Sequence, residues 1–204
     1  MNADFLPFNA FDVILAVVLV IGIFRGRKHG MSAELMPLIT WLAILFVCAV
    51  AYEPIGSLFG QTTKLFSTLS CYLMAYVGVA LILAVLFATI KRSLGGKLLG
   101  SDLFGKAEYY LGMGSGFVRF TCILLVVLAV LNARYYSDQE IRAMQKYQDQ
   151  WYGSDFFPTL QTIQASVFEK SFTGPWIRNN LSFLLIKPTA SESKELHQKE
   201  AKWQ

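Results

Sequence analysis

Arg119 is the one charged residue in an apolar run from Leu111 to Ala133. It lies eight positions into that run, a depth of about 12 Å at about 1.5 Å of helix rise per residue. A guanidinium facing lipid at such depth costs at least about 2.5–3.5 kcal/mol on insertion scales, so it is expected to face protein or water, or to snorkel toward the headgroups. Two carboxylates, Glu34 and Glu108, fall near the same end of the apolar runs, and Glu34 is the better partner. An Arg119–Glu34 pair can do either of two things. It can tie two helices together as a buried ion pair, or it can line a polar path for an ion or solute. Glu34 and Asp12 also have plainer roles, since each falls in the first turn of an apolar segment, where the helix N-terminus stabilises a carboxylate.

Other chemistry is poorly supported. Gly112-Met113-Gly114-Ser115-Gly116 invites comparison with an intramembrane serine protease. Met113, however, stands where a G-x-S-G motif requires glycine, and a nucleophilic serine needs a histidine on a neighbouring helix. The histidines are His29, beside a basic cluster, and His197, in the polar C-terminal stretch. H-E-x-x-H, G-x-S-x-G and Walker A patterns are absent from the chain. Cys48, Cys71 and Cys122 stand singly within apolar segments, as small buried hydrophobes rather than a disulfide or zinc framework. No enzyme activity, cofactor or metal is expected.

The glycines carry a clearer pattern. Gly22, Gly26 and Gly30 recur every four residues, as do Gly112 and Gly116. In lipid, small residues at this spacing let helix backbones approach closely, because packing rather than hydrophobicity drives association there. They are expected to pack helices within a bundle, with self-association as the sharper alternative.

Those residues must be positioned by helices. Hydrophobic residues make up 54% of the chain and charged ones 16%, against about 45–50% and about 25% in soluble domains. The excess lies before Ala133, in runs over residues 10–24, 31–52, 66–90 and 111–133. Most approach the roughly 20 residues that cross a bilayer of about 30 Å; the first is the shortest. The expected fold class is an all-α membrane protein of about four transmembrane helices, occupying residues 1–133. Asn9-x-x-Asp12 reads as the first helix start, with Asn9 as N-cap. The N-terminus lacks the positive region of a cleavable signal peptide, so the first segment is expected to be retained.

Beyond Ala133 the composition changes. Ser137-x-x-Glu140 is a capping box. Ile141, Met144, Tyr147 and Trp151 make one apolar stripe. Phe157, Leu160, Ile163 or Gln164, Val167 and Phe168 make a second. Residues 134–186 are therefore expected to form a short amphipathic helical tail, lying on the membrane boundary or packing over the bundle. Residues 187–204 are polar, mixed in charge and expected to be disordered.

The net charge of +4 comes with no basic stripe interleaved with aromatics, which argues against nucleic acid. Instead, Arg25, Arg27 and Lys28 form a loop cluster after the first segment. Lys91, Arg92, Lys97 and Lys106 follow the third. The positive-inside rule places both loops in the cytoplasm and both termini on the periplasmic or exterior side.

Two signatures resemble the colicin V production protein family. The first is Phe11-Asp12-Val13-Ile14-Leu15 followed by Gly22, Arg25-Gly26, Gly30, Glu34 and Trp41. The second is Glu108-x-x-Leu111-Gly112-x-x-x-Gly116-x-x-Arg119, similar to the family's D-R-x-L-G-x-x-x-G-x-x-R-G. Departures are Glu108 in place of Asp, Tyr109 in place of Arg, Phe120 in place of the final Gly, and Ala33 at a position often basic. The resemblance covers residues 11–133. It implies a bacterial cytoplasmic-membrane protein linked to production or export of the toxin colicin V, or to maintenance of the cell envelope, and names no reaction. Its partners are then the lipid bilayer and either a second copy or other envelope proteins. Two functional readings follow: a non-enzymatic accessory or scaffold protein, or a small channel or transporter with a polar route at Arg119 and Glu34.

Overall fold

The computed structural model describes residues 9–62, 66–94, 105–137, 140–142 and 159–190. Three helices dominate: α1 (Ala10–Thr62), α2 (Thr68–Leu94) and α3 (Glu108–Asn132). All three are long and apolar enough to cross a membrane. Their outward residues are large and apolar, including Val13, Val17, Ile21 and Phe24 on α1 and Leu81, Ile82, Val85 and Leu86 on α2. Such a surface is untenable in water and ordinary in lipid.

α1 is not one rod. A straight helix of its 53 residues would reach about 80 Å, far beyond a hydrocarbon core of about 30 Å. It breaks at Gly30, whose φ of 75° and ψ of 168° lie outside helical space. Neighbours show that the chain reverses there. Passing from Gly22 through Gly26 to Gly30, α1 meets Phe120, then Gly112, then Glu108. From there Glu34 meets Arg119 and Tyr52 meets Lys187, back toward the other end of α3. The two arms of α1 therefore both run along α3, which yields four apolar helical segments from three continuous helices.

The boundaries differ from the sequence expectation in two places. Arg25, Arg27 and Lys28 lie on helix rather than in a loop, and a single residue makes the turn. Arg and Lys are good helix formers, so only Gly30 interrupts the geometry. The second arm also continues past Tyr52, through Pro54, to Thr62, with its last turn exposed.

The tail is built onto the bundle. β1 (Arg134–Tyr135) pairs in parallel with β2 (Thr189–Ala190). Helices α4 (Leu160–Phe168) and α5 (Thr173–Asn180) and a 3-10 turn, Ser182–Leu184, lie between them in sequence. Val167, Phe168, Ile177, Leu184, Leu185 and Ile186 join Leu45, Cys48, Tyr76, Cys122, Leu125 and Leu128 in one apolar core. Polar groups close the seam. Asn132 Nδ2 donates to the Ile186 carbonyl at 3.0 Å, and the Lys187 N–H to the Tyr52 hydroxyl at 3.2 Å. Lys187 Nζ donates to both Glu53 carboxylate oxygens, at 2.9 and 3.0 Å. This bond, and the negative charge behind it, hold the ammonium pKa above the ordinary lysine value.

The expectation of disorder from Lys187 onward thus fails for residues 187–190. Their backbone finds partners on the bundle, including Thr189 N–H to the Ala133 carbonyl at 2.9 Å. Residues 191–204 lie outside the described residues. So does most of the first tail stripe, although its capping box is visible. Ser137 N–H donates to Glu140 Oε2 and Glu140 N–H to Ser137 Oγ, each at 3.4 Å. In the second stripe Val167 and Phe168 are buried, Leu160 and Ile163 face outward, and Gln164 turns inward to the Arg134 carbonyl at 3.0 Å. Phe157 lies outside the described residues.

Candidate functional site

The site sits where the two arms of α1 meet the first half of α3. Glycines make the close approach. A Cβ on Gly26 would overlap the Gly112 carbonyl, and one on Gly112 the Gly26 carbonyl oxygen. Gly116 stands in the same relation to the Gly22 carbonyl, and Gly22 abuts Phe120. The two glycine rows face each other inside the molecule, which brings backbone against backbone. Gly114, on the far side of α3, has open space around it.

The close crossing brings the charged residues together. Arg119 Nη1 donates to Glu34 Oε2, with the Arg119 side chain 16% and the Glu34 side chain 4% exposed. Glu34 follows the Gly30 reversal by one turn, so its carboxylate points back along α3. Arg119 Nε is buried and has no hydrogen-bond partner. His29, 45% exposed, places Nδ1 at 3.8 Å from Glu34 Oε1 and at 2.8 Å from the Arg25 carbonyl. The cluster is thus a buried Arg–Glu pair with an imidazole between its carboxylate and the surface.

Glu108 does not reach Arg119 in this arrangement. Its side chain packs on Gly30 and accepts the Ser32 N–H at 3.3 Å, closing the first turn of the second arm. Tyr109 accepts the Arg27 guanidinium over its ring at 4.7 Å. Trp41 packs at the edge of the core, whereas Leu111 is 43% exposed. The Ser115 hydroxyl donates back to the Gly112 carbonyl at 2.9 Å.

Asp12 lies at the opposite end of the bundle, apart from this cluster. Its carboxylate accepts the Asn9 N–H at 3.1 Å, within its own helix start. It also accepts the Phe172 N–H at 3.0 Å and the Thr173 N–H at 3.1 Å. Asn9 Nδ2 donates to the Ser166 carbonyl and hydroxyl at 2.9 and 2.7 Å. Asp12 therefore joins the start of α1 to the tail.

Sequence reasoning missed two of these roles. In the sequence His29 stands only as part of a basic loop cluster, and its approach to Glu34 depends on the local backbone geometry at Gly30. The tail's hold on Asp12 carries no local signal, since its partners stand 160 and 161 positions away.

The family model for colicin V production protein matches residues 11–186, which spans both signatures and the docked tail. Neither the curated proteins nor the solved structures offer a match to this chain.

Proposed function

This chain belongs to the colicin V production protein family, and on that premise we propose that it acts as a non-enzymatic accessory or scaffold protein of the bacterial cytoplasmic membrane. Its task is toxin production and export or upkeep of the envelope, carried out with other envelope proteins or a second copy. The observation that carries this reading is the Arg119–Glu34 pair: the deepest charge in α3 is neutralised by a carboxylate buried to 3% exposure. A pair so enclosed holds helices in register, whereas a conducting route needs the charge open to water. The Ser115 hydroxyl, turned back to its own helix, supports a role without catalysis. The basic residues Arg25, Arg27, Lys28, Lys91 and Arg92 gather at the Gly30 end, and the tail lies at the other. By the positive-inside rule the Gly30 end faces the cytoplasm, and both termini face outward.

A second reading, a small channel or transporter, draws on two features. Arg119 Nε lacks a partner, and the half-exposed His29 imidazole stands 3.8 Å from Glu34 Oε1. Thiol accessibility separates the two. With Cys48, Cys71 and Cys122 replaced, single cysteines at Ser115, Ile123 and Val126 place probes on the Arg119 face of α3. A membrane-impermeant thiol reagent applied from either side should leave all three unlabelled in the scaffold reading. Labelling that continues along this face past Arg119 would overturn it in favour of transport.

A further inference from the structure

A second polar site lies at the far end of the bundle from Arg119. Between β1, α4 and α5 is a cavity of about 250 Å³, lined by Arg134, Tyr135, Gln161, Gln164, Glu169 and Arg178 among others. Two guanidinium groups border it, and neither makes an ion pair: the ion pairs among the described residues are His29–Glu34, Arg119–Glu34 and Lys187–Glu53. Arg134 stacks on the Tyr136 ring at 4.7 Å, and its Nε is buried with no hydrogen-bond partner. Each guanidinium carries five N–H donors and no acceptor, so the two arginines give this concavity an excess of donors. Among the described lining residues Glu169 is the one carboxylate, so together with Arg134 and Arg178 they carry a net positive charge.

We infer that this cavity binds a phosphate-bearing anion, with Arg134 and Arg178 as its principal ligands. A planar carboxylate is satisfied by one guanidinium fork. Two arginines on different elements, with Tyr135 and Gln161 on the same wall, suit the several oxygens of a tetrahedral group. The position agrees. Arg134 follows the end of α3 by two residues, which sets it at a membrane–water boundary. Trp176, on the same helix as Arg178, and Phe183 just beyond it are 61% and 63% exposed, as aromatic side chains at the headgroup level are. Both an anionic lipid headgroup and a free phosphate in the aqueous phase present the required chemistry.

The test is thermal unfolding of the full chain in a neutral detergent, titrated separately with inorganic phosphate, short-chain phosphatidylglycerol and short-chain phosphatidylcholine. Chloride at matched ionic strength serves as the baseline. A bound anion raises the midpoint saturably. Stabilisation by phosphatidylglycerol alone identifies a headgroup; stabilisation by inorganic phosphate as well identifies a free anion. Arg178 and Glu169 are exposed, so their substitution leaves folding intact. Arg178→Gln should weaken binding about tenfold, the loss of roughly one charge-assisted contact. Glu169→Gln should strengthen it several-fold. The inference is overturned if neither anion shifts the midpoint beyond chloride, or if Arg178→Gln and Glu169→Gln both leave the titration curves unchanged.

Discussion

Asp12 and Thr173, 161 positions apart, are joined twice: the Thr173 N–H at 3.1 Å and its hydroxyl at 2.5 Å both donate to Asp12 Oδ1. The other carboxylate oxygen takes the Phe172 N–H. Phe172 has no side-chain acceptor; Ser171 Oγ takes the Gly174 N–H at 2.8 Å, and Asp12, from another helix, takes the Phe172 and Thr173 N–H groups at the start of α5. Hydrogen bonds to a charged group contribute about 1.5–3 kcal/mol each. Asp12→Ala should therefore weaken tail docking by at least about 2 kcal/mol, or roughly thirtyfold in the open population. Limited proteolysis of the full chain in membranes measures this as faster cleavage within residues 159–190. Asp12→Asn keeps one acceptor oxygen and should fall between. Unchanged cleavage in Asp12→Ala would mean that the apolar core alone holds the tail.

Glycines 112 and 114 offer a controlled comparison two residues apart on one helix. A methyl at position 112 meets the Gly26 carbonyl oxygen and the backbone of Gly30, whereas one at position 114 meets open space. Gly112→Ala should destabilise the protein by about 1–3 kcal/mol, as overpacking against a backbone that cannot yield does. Gly114→Ala should be neutral or stabilising by about 0.5–1 kcal/mol, through helix propensity. Thermal unfolding in detergent distinguishes them. Equal midpoints would show that the α1–α3 crossing is looser than its geometry.

The apolar segments, the small-residue rows and the Asn9-x-x-Asp12 start of α1 can be read from residue type and spacing, because each rests on local chemistry: hydropathy, small side chains, a first-turn carboxylate that takes the Asn9 N–H. The detailed path of the chain between them cannot. The reversal between the first two segments is legible from the basic gap that separates them, but its placement at Gly30 alone is not, since Arg25, Arg27 and Lys28 read equally well as loop or helix. The arrival of the tail at the bundle depends on Tyr52, Asn132 and Asp12 meeting residues more than 50 positions away, a matter of tertiary packing. The cavity at Arg134 and Arg178 was invisible for the same reason, with two arginines on separate elements and no shared motif.

Gly30 itself is open to a sharp test. Its φ of 75° with ψ of 168° lies in a region that side-chain-bearing residues avoid at a cost of about 1–3 kcal/mol. An added Cβ would also press on the Glu108 side chain, at 2.9 Å. Gly30→Ala should lower stability by at least about 2 kcal/mol and separate the α1 arms at their junction. A disulfide crosslink between cysteines placed in the two arms would then form more slowly than in the parent. Gly60→Ala, in open space near the end of α1, is the matched control and should leave crosslinking unchanged.

The Arg119–Glu34 pair yields a double-mutant cycle. Removing the guanidinium alone, in Arg119→Leu, strands a carboxylate that is 3% exposed. Breaking a buried pair from one side costs about 3–5 kcal/mol, because the remaining charge stays desolvated. Neutralising both, in Arg119→Leu with Glu34→Gln, removes that penalty. The double variant should recover most of the lost stability and abundance, a coupling of about 2–3 kcal/mol. The functional readings then diverge. A scaffold tolerates the double variant in toxin production or envelope assays, since helix register is restored. A transporter does not, because the charge that meets its solute is gone whatever occupies position 34. Flux into reconstituted vesicles that falls with Arg119→Leu, and stays lost in the double variant despite recovered abundance, would decide for transport.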